Sequence, residues 1–251
     1  MSKLDSLKKF LGIEKFTKYT REYFDKSNIR SSLYVSSVVI ILELWMIIST
    51  LCLQFFGELN RSKHWLFTHI GSYVLLLISS CILFAFSLLH YKKNIQNHES
   101  WLAIRFIFSI VAIGFGIYIS YIDYLKGEQF ITLMTMTIFV FCFTVWRPFY
   151  TILFLIGSYG FFFFICNHAN PATYATKVNL TIVLITITMS AINAYTQKLS
   201  EAKKDERLEQ AHDILLKLSI SDEVTGIANM NYFRGQALKK MQEKETVVEN
   251  M

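Results

Sequence analysis

Glu43 and Arg105 are the residues whose type and position most demand a chemical role, because each is an ionisable side chain set inside a long apolar run. A charged group in hydrocarbon costs at least a few kcal/mol, so such a residue is expected to be paired, neutralised or functional. Glu43 sits near the middle of the run Leu33 to Phe56, and Arg105 lies four residues inside the run that starts at Trp101. Their depths differ by roughly six residues, or about 9 Å at the helical rise. A direct bond between them therefore requires Arg105 to reach inward. The alternative for Glu43 is a protonated carboxyl hydrogen-bonded inside a helical bundle. Asp123, at the far end of the third run, is expected to face solvent.

Metal and haem chemistry find no matching pattern. His64 and His69 flank the start of the second apolar run, His90 and His98 bracket a connection, and His168 lies between Asn167 and Lys177. None shows the i, i+4 pairing of a helical metal site, and no two offer axial ligands at matched depth. Cys52, Cys81, Cys142 and Cys166 are isolated, with no C-x-x-C. No cofactor is expected in this chain. The aromatic run Tyr159-Gly160-Phe161-Phe162-Phe163-Phe164 reads first as lipid-facing bulk, and second as the lining of a pocket for an apolar ligand, given the flexibility that Gly157 and Gly160 allow.

The elements that must position these residues are long apolar helices. Hydrophobic residues make up 53% of the chain and charged residues 18%, a balance that excludes disorder for most of it. Six apolar runs follow one another: Leu33 to Phe56, Trp65 to Leu89, Trp101 to Tyr121, Phe130 to Val145, Tyr150 to Cys166 and Val178 to Tyr195. A helix needs about 20 residues to cross a hydrocarbon core of roughly 30 Å. The first three runs exceed that comfortably, whereas the fourth is short unless Glu128 or Arg147 reaches the headgroups. Six nearly uncharged runs leave no polar faces for water, and barrel strands would be shorter and alternating. The expected fold is all-α, a six-helix transmembrane bundle over residues 33–195.

Positive charge sets the expected orientation. Residues 1–32 hold eight Lys and Arg, and the second and fourth connections add Lys92, Lys93 and Arg147, eleven in all against Arg61, Lys63, Lys126 and Lys177 on the other side. Both termini are therefore placed in the cytoplasm, and the formal charge of +6 is read as attraction to an anionic inner leaflet and not to nucleic acid. Trp65, Trp101 and Trp146 fall at the expected interfaces. In the segment 1–32, Leu4, Leu7, Phe10, Leu11, Ile13, Phe16, Tyr19 and Tyr23 recur at helical intervals, which suits an amphipathic helix in the headgroup plane as well as a solvated one.

Beyond Tyr195 the chain becomes densely charged. Leu208, Ala211, Leu215 and Leu218 follow a 3-4-3 spacing, the seam of a short coiled coil over 196–218 when two copies meet. A homodimer is the expected assembly.

The stretch Ser219-Ile220-Ser221-Asp222-Glu223-Val224-Thr225-Gly226-Ile227-Ala228-Asn229 resembles the D-x-L-T-G-L-x-N opening segment of GGDEF domains, the bacterial diguanylate cyclases. Asp222, Thr225, Gly226 and Asn229 occupy the pattern's fixed positions, Val224 and Ile227 replace leucines, and Phe233 stands where the family has an aromatic; Met230 departs from its usual arginine. The resemblance covers residues 219–251 and implies an incomplete α/β domain whose first helix is Met230 to Lys244. It implies a switch in which two domains, each bringing GTP with Mg, must face one another to make cyclic di-GMP. The G-G-[DE]-E-F turn, with the metal and guanine sites, falls beyond Met251, so no catalytic residue is assigned here and the chain by itself is expected to be inactive.

The leading expectation is thus a membrane input module in a bacterial cytoplasmic membrane, relaying an unidentified small-molecule or lipid stimulus. The competing readings are a small transporter or channel, whose broken helices the loop prolines Pro148 and Pro171 do not suggest, and a non-catalytic scaffold.

Overall fold

Helix-breaking residues set the element boundaries. A computed structural model describes residues 12–13, 16–57, 62–93 and 98–220, with contacts that group into the units Met1–Leu199 and Ser200–Met251. Every regular element among the described residues is helical: α1 Lys18–Phe55, α2 Lys63–Lys93, α3 His98–Leu125, α4 Ile131–Phe141, α5 Pro148–Ala169 and α6 Tyr174–Ile220. No Gly or Pro lies between Ile13 and Phe56, and α1 accordingly runs 38 residues, about 57 Å. Thr17 starts it by accepting the Thr20 N–H at 3.1 Å. Gly57 ends it at φ 77°, a left-handed conformation that glycine adopts without strain.

The length of α1 changes the reading of the N-terminal segment. Lys18 to Ser32 does not form a separate surface helix but continues directly into the first apolar run, because nothing in the sequence interrupts it. Phe16 turns inward to stack on Phe24 at 5.1 Å, while Leu4, Leu7, Phe10 and Leu11 lie outside the described residues.

Five of these helices, α1, α2, α3, α5 and α6, are long and apolar enough to cross a membrane. Their outward faces carry exposed Ile41, Trp45, Ile48, Phe67, Leu153 and Phe164, an apolar surface that lipid would cover. The fourth run behaves differently from the expected span Phe130 to Val145. Its helix stops at Phe141 after 11 residues, about 16 Å, too short to cross as a helix. Aromatic and β-branched Phe143, Thr144, Val145 and Trp146 have weak helix propensity, and Pro148 disfavours a helical conformation at Arg147.

The irregular stretch nevertheless makes up the distance. The Leu133 N–H meets Ser120 on α3, and Val145 meets Arg105, so the chain from 133 to 145 runs alongside 15 residues of α3. That is about 22 Å of α3, matched by the helix from Leu133 to Phe141 and the turn and bend that follow it.

Within the unit Met1–Leu199, α1 packs on α2, α2 on α3, and α3 on both α4 and α5. Val39, Leu76, Leu83, Leu133, Leu155 and Phe162 are fully buried at these contacts. Buried hydroxyls are mostly satisfied by their own helices, as when Ser36, Ser80 and Ser109 donate to the carbonyls of Ser32, Leu76 and Arg105. Among the described residues, bonds that cross between helices include Thr137 to the Tyr159 hydroxyl at 3.0 Å and the Leu133 N–H to Ser120 Oγ at 2.8 Å. The second satisfies an amide in the first turn of α4, where Phe130 supplies no side-chain cap. Ser120→Ala is expected to cost about 1–3 kcal/mol by leaving that amide unpaired. Equal thermal unfolding of the variant and the parent protein in detergent would contradict it.

Candidate functional site

The break after α4 gathers the buried polar groups of the bundle. Asn28 of α1 is 4% exposed, and its side-chain amide pairs with Val145 in both directions. Its Nδ2 donates to the Val145 carbonyl at 3.1 Å, and its Oδ1 accepts the Val145 N–H at 2.8 Å. This replaces the helical bonds that the irregular backbone has lost, as buried backbone requires. Thr144 donates to the Val140 carbonyl, and the Trp146 indole N–H is shared between that carbonyl at 3.1 Å and Thr144 Oγ1 at 2.9 Å.

Arg105 points into the same place. Its guanidinium stands 5.1 Å from the ring centre of Trp101, one turn earlier on α3, and 4.0 Å from that of Trp146. Both lie within the range of cation–π attraction. Trp101 is itself held by a 3.4 Å contact from its indole N–H to Ser87 on α2. Arg105 Nη2 reaches the Val145 carbonyl only at 3.5 Å, and the buried Nε has no partner. The side chain is 5% exposed, and Asp25 is the carboxylate whose charge acts on it.

A cavity of about 890 Å³ opens beside Arg105. Its polar end receives Arg21, Asp25, Asn28 and Arg147, the last with its guanidinium 4.5 Å over Phe16. Its remaining wall is apolar and lies between α3 and α5, from Phe106 and Ile110 to Ile117 on one side and Leu153 and Phe154 on the other. Gly114 and Gly157 border it with nothing within 4 Å of where a Cβ would stand. Tyr195 of α6 also lines it, packed against Phe24 at 5.7 Å. Gly12, at φ 66°, sits so close that a Cβ there would come within 2.9 Å of both Pro148 Cδ and the Tyr195 hydroxyl. A second cavity of about 680 Å³ lies at the other ends of the helices, lined by Tyr124, Glu128, Asn170 and Asn179 among others.

Of the intramembrane candidates, Arg105 belongs to this site and Glu43 does not. Glu43 is 2% exposed on α1, its Oε2 makes no hydrogen bond, and Arg105 is not its partner. The bond that would have required Arg105 to reach inward is replaced by stacking on two tryptophans. Asn28 and Gly12 escaped the sequence reading, and Trp146 and Tyr195 entered it only as residues at span ends.

Leu208, Ala211 and Leu215 are exposed on α6, Leu208 by 68% and Leu215 by 65%; the side chain of Leu218 lies outside the described residues. Asp222, Thr225, Gly226 and Asn229 lie outside them as well. No three His, Cys, Asp or Glu side chains converge as a metal set among the described residues. Comparison with known protein families, with curated proteins and with solved structures found no match to this chain. The class that the fold defines is a helical membrane protein with a buried cationic cavity.

Proposed function

We propose that this protein is a membrane input module that passes a change in its bundle to a diguanylate cyclase domain of the GGDEF type. The observation that carries the reading is α6, one unbroken 47-residue helix from Tyr174 to Ile220. It begins in an apolar run, passes the cavity at Tyr195, continues through a charged stretch and is helical as far as Ile220, the last described residue, two positions before Asp222. A helix of this kind converts a rotation or shift at one end into the same movement at the other. The exposed row Leu208, Ala211 and Leu215 suits pairing with a second copy, and the resemblance at Asp222, Thr225, Gly226 and Asn229 names the kind of domain that would receive the movement. In this reading the protein is a homodimer in a bacterial cytoplasmic membrane with both termini in the cytoplasm. GTP and Mg belong to the catalytic domain alone.

Phase decides the matter. Fusing the chain through Leu218 to an intact cyclase domain should give membrane-bound conversion of GTP to cyclic di-GMP. One deleted residue between Tyr195 and Leu218 turns everything beyond it by about 100°, whereas seven deleted residues turn it by only about 20°. Deletions of one or two residues are expected to change activity severalfold and a deletion of seven to restore it. Equal activity at every phase would overturn helical relay.

One observation favours a second reading. The irregular stretch 142–147 interrupts the fourth traverse beside an arginine, as the broken helices of transporters do at their binding sites. Solute flux into liposomes holding the purified chain would support that reading, and it would not depend on α6.

A further inference from the structure

Arg105 carries a buried charge at a cavity end where arginines outnumber carboxylates, and Asp25 is the carboxylate whose field reaches it. A guanidinium offers five N–H donors, yet this one has a single long contact to a carbonyl and two aromatic faces, neither of which brings negative charge. Such a charge, 5% exposed and with Nε unpaired, is costly to keep on the field of one nearby carboxylate, Asp25. The cavity beside it is chemically divided. Its polar end gathers three arginines, Arg21, Arg105 and Arg147, against one carboxylate, Asp25. The rest is an apolar groove between α3 and α5, kept open at Gly114 and Gly157. From Arg105 to Ile117 the groove follows 12 residues of α3, about 18 Å. Half of a hydrocarbon core of roughly 30 Å is about 15 Å, so the groove has the length of one acyl chain in one leaflet. A cavity of about 890 Å³ falls within the range of sites that hold one small molecule.

We infer that this cavity binds a long-chain fatty acid, its carboxylate at the arginine-rich end beside Arg105 and its single acyl chain in the groove between α3 and α5. A planar guanidinium matches a carboxylate through parallel N–H bonds, and the two tryptophan faces hold it in place for that contact. Arg21 and Arg147 add positive potential at the mouth. The inference names the stimulus for the input-module reading and rests on that reading for its consequence, since a bound chain lies against the cavity that Tyr195 of α6 also lines. Binding itself is independent of any catalytic domain.

The test uses the purified full chain in nanodiscs of neutral phospholipid, with radiolabelled palmitate as the probe and thermal unfolding as a second readout. Palmitate is expected to bind saturably and to raise the unfolding temperature, as any ligand selective for the folded state does. Hexadecanol, which has the same chain without the charge, is expected to bind about tenfold or more weakly, the worth of a charged hydrogen bond. Arg105→Met is expected to fold at least as stably as the parent without ligand, because it removes a costly buried charge, and to lose the palmitate-induced rise. Gly157→Phe fills the groove while leaving Arg105 in place and is expected to abolish binding; it keeps the test decisive should Arg105→Met fail to fold.

Equal affinity for hexadecanol and palmitate would overturn the inference. So would undiminished palmitate binding to both variants, or exclusive occupancy by a diacyl anionic phospholipid such as phosphatidylglycerol. These results would leave the phase experiment on α6 untouched, and equal activity at every phase would leave palmitate binding untouched.

Discussion

Asn28→Leu is expected to lower the unfolding free energy by about 2–5 kcal/mol, the largest loss from any single change in the bundle. Two backbone groups depend on this amide, the Val145 N–H at 2.8 Å and the Val145 carbonyl at 3.1 Å, and both lie where no helix serves them. Leucine fills a similar volume but leaves each group unpaired, at about 1–3 kcal/mol apiece. The remaining contact to that carbonyl, from Arg105 at 3.5 Å, is too long to compensate. Thermal unfolding in detergent measures the loss. Amide hydrogen exchange locates it, with faster exchange confined to residues 142–147. A variant within about 0.5 kcal/mol of the parent, the range typical of inconsequential substitutions, would show that Asn28 does not hold the break.

Gly116→Leu is expected to destabilise by about 1–3 kcal/mol, against the usual benefit of replacing a helical glycine. A Cβ at Gly116 would stand 3.1 Å from the Cα of Leu133 and 3.3 Å from the Cβ of Met136, so α3 and α4 approach through this missing side chain. Backbone cannot yield as the tip of a flexible side chain can. Gly114 lies half a turn away with nothing within 4 Å, and there alanine is expected to stabilise by about 0.5–1 kcal/mol. Opposite signs at two glycines of one helix distinguish contact from propensity. If Gly116→Leu and Gly114→Ala shift unfolding in the same direction, the close approach of α3 to α4 is not supported.

The position of Arg105 shows where sequence reasoning reached its limit. Its place inside an apolar run marked it as a functional candidate, and the depth argument made a bond to Glu43 difficult. Its actual neighbours were not legible, because Trp146 and Val145 are brought to it by a helix that ends early. The fourth run is apolar throughout, so hydropathy extends a span to Val145, while weak propensity and Pro148 stop the helix at Phe141. Hydropathy measures preference for lipid and contains no information on where backbone hydrogen bonds change partner.

From sequence alone, the apolar runs, their helical character and the long polar extension after Tyr195 were determined, since each depends on local composition summed over many residues. The cavity was decided only by tertiary structure. Its walls come from Phe16 on one side of α1, from α3, from the break near Val145, from α5 and from Tyr195 on α6, residues as far apart as 179 positions in the chain. A pocket consists of space left between packed elements, and that space depends on which side chains are missing as much as on which are present: Gly114 and Gly157 leave it open, and three arginines against one carboxylate give it a charge. No periodicity along the chain records such a combination, because it comes into being only when the helices meet.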